Sequence, residues 1–376
     1  MSDTRKTTKP NVPNLRFPGF EGEWELHLLS DYCHKITRKN KGNILSNVLS
    51  NSANQGIISQ SEYFDRAIAN SNNTAGYYII EQDDFVYNPR KSTAAPYGPV
   101  NVYHGGEPGI ISPLYLCFKT TGINREFLFY YFKSKAWWPY MYENGDSGVR
   151  HDRVSIKDDV FFAMPIQLPP EEEQLKIAQL LSLIDQRIAV QNKVIEKYES
   201  LIKALCQILI TSPNGTVCHI GDVLKIGSGK DHKHLNIGTI PVFGTGGYML
   251  SVNDWLYEGE SVCIGRKGTI DNPFFVDGKF WTVDTLFYTY DFNGVLPKFC
   301  YYLFRTINWL QYNEASGVPS LSKSTIERIQ IRIPCMDEQA KAVQVLDSVE
   351  MEITCRRKLL NLYKSIKQYL ISQLFI

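Results

Sequence analysis

Few stretches of this 376-residue chain could do chemistry, and each is short of a known requirement. Phe243-Gly244-Thr245-Gly246-Gly247 has the glycine content of a cofactor-binding loop, but it lacks G-x-G-x-x-G spacing and a following helix with an acidic partner. Asn272-Pro273-Phe274-Phe275 has one proline where the Asn-Pro-Pro-aromatic motif of adenine methyltransferases has two. Gly229-Lys230 lacks the upstream glycine of a phosphate-binding P-loop. His232 and His234 have no cysteine or carboxylate cluster at ligand spacing beside them, so no metal site is expected. No Ser-His-Asp set can be argued from order alone. What remains is cationic: Arg90-Lys91 and Arg266-Lys267, each in a turn after a strand, and Lys230, His232, Lys233 and His234 after Gly227-Ser228-Gly229. Such groups bind anions and transfer nothing, so the chain is expected not to be an enzyme.

The elements that must position these turns are read from apolar periodicity. Ile177, Leu181, Ile184, Ile188, Gln191, Ile195, Tyr198, Ile202, Leu205 and Leu209 recur at alternating spacings of four and three, a heptad seam over four or more heptads. An offset of 165 gives Ala342, Leu346, Val349, Ile353, Arg356, Leu360, Tyr363, Lys367, Leu370 and Leu374 with the same period. Both copies open alike, on Pro169 with Glu171, Glu172, Glu173 and Gln174, and on Pro334 with Asp337, Glu338 and Gln339. Proline ahead of a helix and carboxylates in its first turn favour initiation. At about 1.5 Å per residue the first seam is roughly 50 Å long, and such helices need partners. An antiparallel coiled-coil pair is expected. Its polar breaks, Gln191 and Arg356, either share a layer that sets register or each face water.

The rest of the chain is also written twice. Short β-rich runs precede an aromatic helix at Asn124 to Lys135, and further runs, among them Val217 to Ile226, precede another near Pro297 to Thr306. An offset of 172 places Glu126, Phe127, Tyr130, Phe132 and Lys133 on Lys298, Phe299, Tyr302, Phe304 and Arg305, and a slightly larger one matches Arg90-Lys91 to Arg266-Lys267. The aromatic helix reads as core rather than as a base-stacking platform. The fold class is therefore α+β: two pseudo-repeated α/β domains separated by two long antiparallel coiled-coil helices. The expected divisions are a flexible tail at 1–14, a first domain at 15–168, the first helix at 169–211, a second domain at 212–333 and the second helix at 334–376.

Bulk properties narrow the classes. A net charge of +1 argues against a free-standing, highly basic nucleic-acid binder. The eight cysteines include no CxxC pair, and Cys206 and Cys355 lie in the helical seams, which fits reduced thiols in a cytoplasmic protein. With no apolar run of about 18 residues, membrane insertion is not expected.

Together these features resemble the specificity subunit of type I restriction-modification enzymes. The resemblance covers essentially the whole chain. It is carried by Pro169, Pro170, Glu173 and Gln174, by Pro334, Glu338 and Gln339, by the alternation of modules and helices, and by the opening Leu15, Arg16, Phe17, Pro18, Phe20 and Trp24. It implies a non-catalytic DNA-recognition subunit for a bipartite double-stranded target, with one half-site per target-recognition domain and a spacer set by the helices. It implies two methyltransferase subunits as partners, carrying S-adenosylmethionine, and restriction subunits whose motor uses ATP and Mg; no cofactor is implied in this chain. The competing reading is a duplicated coiled-coil scaffold whose globular domains bind proteins.

Under that resemblance, base edges are read by Arg or Lys at guanine and by Asn or Gln at adenine. In the first module the loop candidates are Arg90, Lys91, Ser92, Tyr97, Asn144, Arg150, His151 and Arg153. In the second they are Lys230, His232, Lys233, His234, Arg266, Lys267, Ser320, Ser322 and Lys323. Partner contacts are expected at outward charged positions of the helices, such as Lys176, Arg187, Lys193, Lys197, Lys341, Lys358 and Lys364.

Overall fold

The computed structural model describes residues 11–60, 74–146, 152–211 and 215–376; Arg150 and His151 lie outside them. The chain forms two compact units, Met1–Val190 with Asn361–Ile376, and Gln191–Leu360. Each contains one globular module and a part of both long helices.

The strands of the first module are β1 (Glu25–Leu28), β2 (Cys33–Lys35), β3 (Val48–Ser52), β4 (Gly56–Ser59), β5 (Tyr78–Ile80), β6 (Phe85–Tyr87), β7 (Val100–Val102), β8 (Gly109–Ile111), β9 (Leu116–Thr120) and β10 (Pro165–Leu168). Those of the second are β11 (Thr216–His219), β12 (Lys225–Ser228), β13 (Ile237–Gly244), β14 (Gly247–Val252), β15 (Tyr257–Glu258), β16 (Ser261–Gly265), β17 (Phe274–Val276), β18 (Lys279–Thr282), β19 (Leu286–Tyr290) and β20 (Gln330–Ile333). Sheet orders β2-β9-β6-β7 and β4-β3-β8-β5, with a β1-β10 ribbon, recur ten strands later as β12-β19-β16-β17, β14-β13-β18-β15 and β11-β20. Even the parallel pair β3 with β8 returns as β13 with β18. The two modules share one topology. The stretch from Val217 to Ile226 is not one strand, because Asp222 Oδ2 accepts the His219 N–H at 2.7 Å and starts a helical turn at Ile220. Asp31 does the same for the Leu28 N–H at 2.9 Å.

Four helices organise the modules: α1 (Arg125–Lys133), α2 (Glu171–Ile210), α3 (Pro297–Thr306) and α4 (Met336–Leu374). Asn124 caps α1 by accepting the Phe127 N–H at 2.9 Å, and Pro297 supplies the first turn of α3. At their other ends, Trp137 and Trp309 donate Nε1–H to the carbonyls of Phe132 and Phe304 at 3.1 and 2.8 Å. The aromatic faces of α1 and α3 are core, with Phe127, Tyr130, Phe299 and Tyr302 all at most 2% exposed.

The Glu-Gln openings of α2 and α4 are joints. Gln174, buried, donates to Pro169 O at 2.9 Å and accepts the Asn124 N–H at 3.1 Å. Gln339 repeats the pattern with Pro334 O at 2.9 Å and the Leu296 N–H at 2.8 Å. Each glutamine thus welds a long helix to the turn that starts an aromatic one. Glu173, fully buried, takes a two-pronged contact from Arg16, 2.8 Å on each prong, which anchors the opening segment. Trp24 is 2% exposed and Lys176 lies over the Phe20 ring at 4.7 Å.

Within the first unit the two long helices run antiparallel: Lys367 Nζ donates to Asp185 Oδ2 at 2.7 Å, while Ile177 and Leu181 share a core with Ile371, Leu374 and Phe375. Within the second, Arg357 bonds Glu199 at 2.6 Å, and Ile202 and Cys206 share a core with Ala342, Leu346 and Ile353. Every seam position is buried or half-buried, including Ile184, Ile188, Ile195, Tyr198, Leu205, Val349, Leu360, Tyr363 and Leu370. The polar breaks do not share a layer. The pairing of Glu199 with Arg357 puts Arg356 beside Tyr198, roughly 10 Å along the helix from Gln191. Arg356 bonds Glu352 one turn back at 2.7 Å, while Gln191 is 7% exposed.

Replacing Arg16 with Ala leaves Glu173 buried without its cation, and such losses cost roughly 3–5 kcal/mol. Denaturant unfolding of the first unit should report a loss of that order, with Arg16→Lys recovering only part because the fork is gone.

Candidate nucleic-acid interface

The cationic turns stand at matching places in the two modules. After β6, Asn88 Oδ1 accepts the Arg90 N–H at 3.0 Å, and the turn is stitched to a second loop by Lys91 N–H to Asp152 O at 2.8 Å and Val154 N–H to Pro89 O at 2.9 Å. After β16, Gly268 N–H to Pro319 O and Leu321 N–H to Arg266 O, both 2.9 Å, repeat the stitch. The bridge between Arg90 and Arg153 therefore corresponds to that between Lys267 and Ser320. This corrects the expected match by one residue: Arg90 takes the place of Lys267, and Arg266 stands where the first module has Pro89. A fixed offset cannot see a one-residue insertion, whereas backbone pairing registers it.

In the first module Arg90, Lys91 and Ser92 line an open cleft of about 530 Å³. Arg90 and Ser92 are exposed, and Gly98 makes the turn possible: its φ is +84°, and a Cβ there would meet Asn88 O at 2.1 Å. Tyr97 is turned away from the cleft's chemistry. Its ring packs 5.8 Å from Trp138 and its carbonyl accepts the Tyr87 hydroxyl at 2.9 Å. Asn144 is exposed at a helix end and spends its amide on Tyr140 O at 3.0 Å. Arg153 is half-buried beside Arg90.

In the second module Arg266, Lys267, Ser320, Ser322 and Lys323 line a cleft of about 340 Å³. Arg266 stacks over Phe287 at 5.8 Å. Ser322 is committed as a helix cap, accepting the Thr325 N–H at 3.1 Å, so it positions Lys323 and is not itself free to read. Lys230, Lys233 and His234 are exposed on the neighbouring loop and His232 is half-buried. This loop is held by Lys230 N–H to Thr282 O at 2.8 Å and by Trp281 Nε1–H to Lys230 O at 2.9 Å. Gly229 is required there, since a Cβ would lie 1.9 Å from Val283 O. Among the described residues no cluster of three or more His, Cys, Asp or Glu side chains is placed to hold a metal, and no helix is long and apolar enough to cross a membrane.

Three contributors were not found from sequence. Glu314 lies in the second cleft, and hydrogen bonds from Thr325 and Ser322 hold its carboxyl below the usual range. The β3–β4 turn, with Asn51 and Asn54, lines the first cleft. The β13–β14 turn lies beside the second: a Cβ on Gly268 would be 3.6 Å from Thr245 Oγ1. None repeats a motif, so only spatial proximity identifies them.

Behind the first cleft Lys133 donates to Val100 O at 3.1 Å and to Asn101 Oδ1. Burial, helped by Lys367 and opposed by Asp185, pushes its ammonium down to about 8.

The architecture defines a class: a duplicated α+β protein whose two modules each hold a cation-lined cleft and share two long helices. The chain belongs to the type I restriction modification DNA specificity domain family, whose model matches residues 21–200 and 215–362. It is 22% identical over 139 residues to the type I restriction enzyme EcoprrI specificity subunit of Escherichia coli, 35% of each chain. It is 24% identical over 116 residues, 30% of each, to a putative type I restriction enzyme specificity subunit of Haemophilus influenzae. The matched stretch thus spans about a third of these curated relatives. In fold it is similar to the type I restriction-modification S subunit from M. genitalium, with TM-score 0.63 at 16% identity over 97% of this chain and 99% of that one. A second solved chain, from work on complex assembly and conformational transition of the type I R-M system, gives TM-score 0.57 at 14% identity over 95% and 97%.

Lys133 yields a pH test. Its folded value lies below that of a free lysine, so between the two the unfolded chain holds more protons and stability rises with pH. Urea midpoints of the wild type should climb relative to Lys133→Met from about pH 8 upward, and run parallel below it.

Proposed function

We propose that the chain reads a bipartite double-stranded DNA sequence, one half through each module, with the unread spacer set by the paired helices. The observation that carries this is the repeated stitch of a cationic turn to a second loop, with Arg90 at Arg153 and Lys267 at Ser320, on two modules of one topology. Twofold repetition of one reader suits a duplex with local dyads. Exposed Arg90, Arg266, Lys267, Lys230 and Lys323 supply phosphate and guanine contacts.

The chain is proposed to be non-catalytic. S-adenosylmethionine and the adenine chemistry fall to two methyltransferase subunits, and ATP and Mg to restriction subunits. Docking of the methyltransferases is carried by apolar groups more than by the charged positions expected from sequence. On α2, Leu183 and Val190 in the first unit, and Leu201 and Ile208 in the second, are 43–68% exposed, and the spacing of seven within each pair keeps its two members on one face of the helix. Leu362 and Tyr369 do the same on α4 in the first unit, 55–62% exposed. Uncovered apolar stripes of this kind mark protein contacts.

Exchanging the first module for that of another family member, in cells with the partner subunits, should change one half of the methylated sequence and leave the other; sequencing of methylated adenines decides it, and no change in either half sinks the reading. Lys230→Ala should weaken binding about equally across sequences and lower the slope of log K against log salt by about 1.

A further inference from the structure

The β3–β4 turn brings the Asn54 amide into the cleft of the cationic turn, with Gln55 next to it along the chain. Asn54 and Gln55 are exposed at its tip, with both N–H groups donated to Ser52 Oγ at 3.4 Å, and Gly56 leaves the turn at φ +75°. Asn51, 3% exposed, ties this hairpin to both ends of the Arg90 loop: its amide donates to Val86 O at 2.7 Å and Pro99 O at 3.3 Å, and its carbonyl accepts Asn88 Nδ2 at 3.0 Å. Asn101 Nδ2 donates to Asn51 Oδ1 at 2.6 Å and to Ser52 O at 3.0 Å.

A single cation orients this series. As an ammonium Lys133 can only donate, so the oxygen of Asn101 must face it; the Asn101 amide nitrogen then faces Asn51 Oδ1, and the Asn51 nitrogen faces Val86 O. No amide in the relay can flip without leaving two donors or two acceptors opposed. Among the described residues the second module shows no such relay. Its counterpart turn is Gly244-Thr245-Gly246-Gly247, and the residue aligned with Lys133 is Arg305, which bonds Glu350 at 3.1 Å instead.

Resting on the DNA-reading function above, we propose that Asn54 and Gln55 read a base beside Arg90 in the first module, specific for an adenine of an A·T pair, and that Lys133, through Asn101 and Asn51, is a positioning residue for them. An amide matches the adenine N6 donor and N7 acceptor in the major groove, and no other base presents that pair. The glycine-rich turn of the second module carries no amide, so the two half-sites differ at this position.

The test uses the full chain with its methyltransferase partner in cells and sequencing of methylated adenines. The double change Asn54→Ala, Gln55→Ala should relax one position of one half-site, with roughly tenfold to hundredfold loss of discrimination there. The other half-site and the thermal midpoint should not move, both residues being exposed. Lys133→Met should relax the same position while leaving the salt slope of binding unchanged; equal weakening for all sequences would mark it as merely structural and overturn the positioning role. An unaltered methylated sequence in the double variant, with Arg90→Ala altering it, overturns the amide assignment alone. Failure of the wild type to direct sequence-specific methylation would instead sink the DNA-reading function.

Discussion

Neither globular core closes with residues of its own module alone. In the first, Phe375 packs 5.2 Å from Phe127 and 6.3 Å from Tyr131, and Ile371 and Leu374 join the same cluster, although all three stand at the end of the helix that follows the second module. In the second, Ile202, Cys206 and Ile210 do the same from the end of α2. Burying a large apolar side chain is worth about 1.5–3 kcal/mol, so three such groups are comparable to the net stability of a small domain. Each helix is therefore held by two cores, and each core needs both helices.

Polar joints fix how that apolar exchange is made. Gln174 and Gln339 have no freedom to slide, because each satisfies a carbonyl and an N–H in a dry setting, and an unmade bond there costs more than a made one gains. Tyrosine hydroxyls add a second fastening, from Tyr130 to Asp185 at 2.8 Å and from Tyr302 to Glu350 at 3.1 Å. Helix and aromatic helix are thus tied to each other by side-chain hydrogen bonds as well as by packing.

The modules diverge where they meet solvent. Beneath the first cleft lies a relay of asparagines ending on a half-buried lysine; beside the second lies a carboxylate held by two hydroxyls. A shared scaffold with unlike clefts lets one architecture present two chemically different surfaces. The cores are kept by volume and burial, and the loops are limited only by the turn geometry that seats them.

The heptad seams, the duplication and the cationic turns were legible in the sequence because periodicity and repetition are local properties: Ile177 to Leu209 declares a helix whatever it packs against. The Glu-Gln openings were visible as signals but not as joints, since nothing in Gln174 names Asn124 as its partner. The one-residue slip between Arg90 and Lys267, the separation of Gln191 from Arg356, and the gathering of Asn51, Asn54 and Arg90 into one cleft came only from the folded chain. Each depends on register between segments tens to hundreds of residues apart, and register is decided by side-chain packing and hydrogen-bond closure in three dimensions, which no linear spacing encodes.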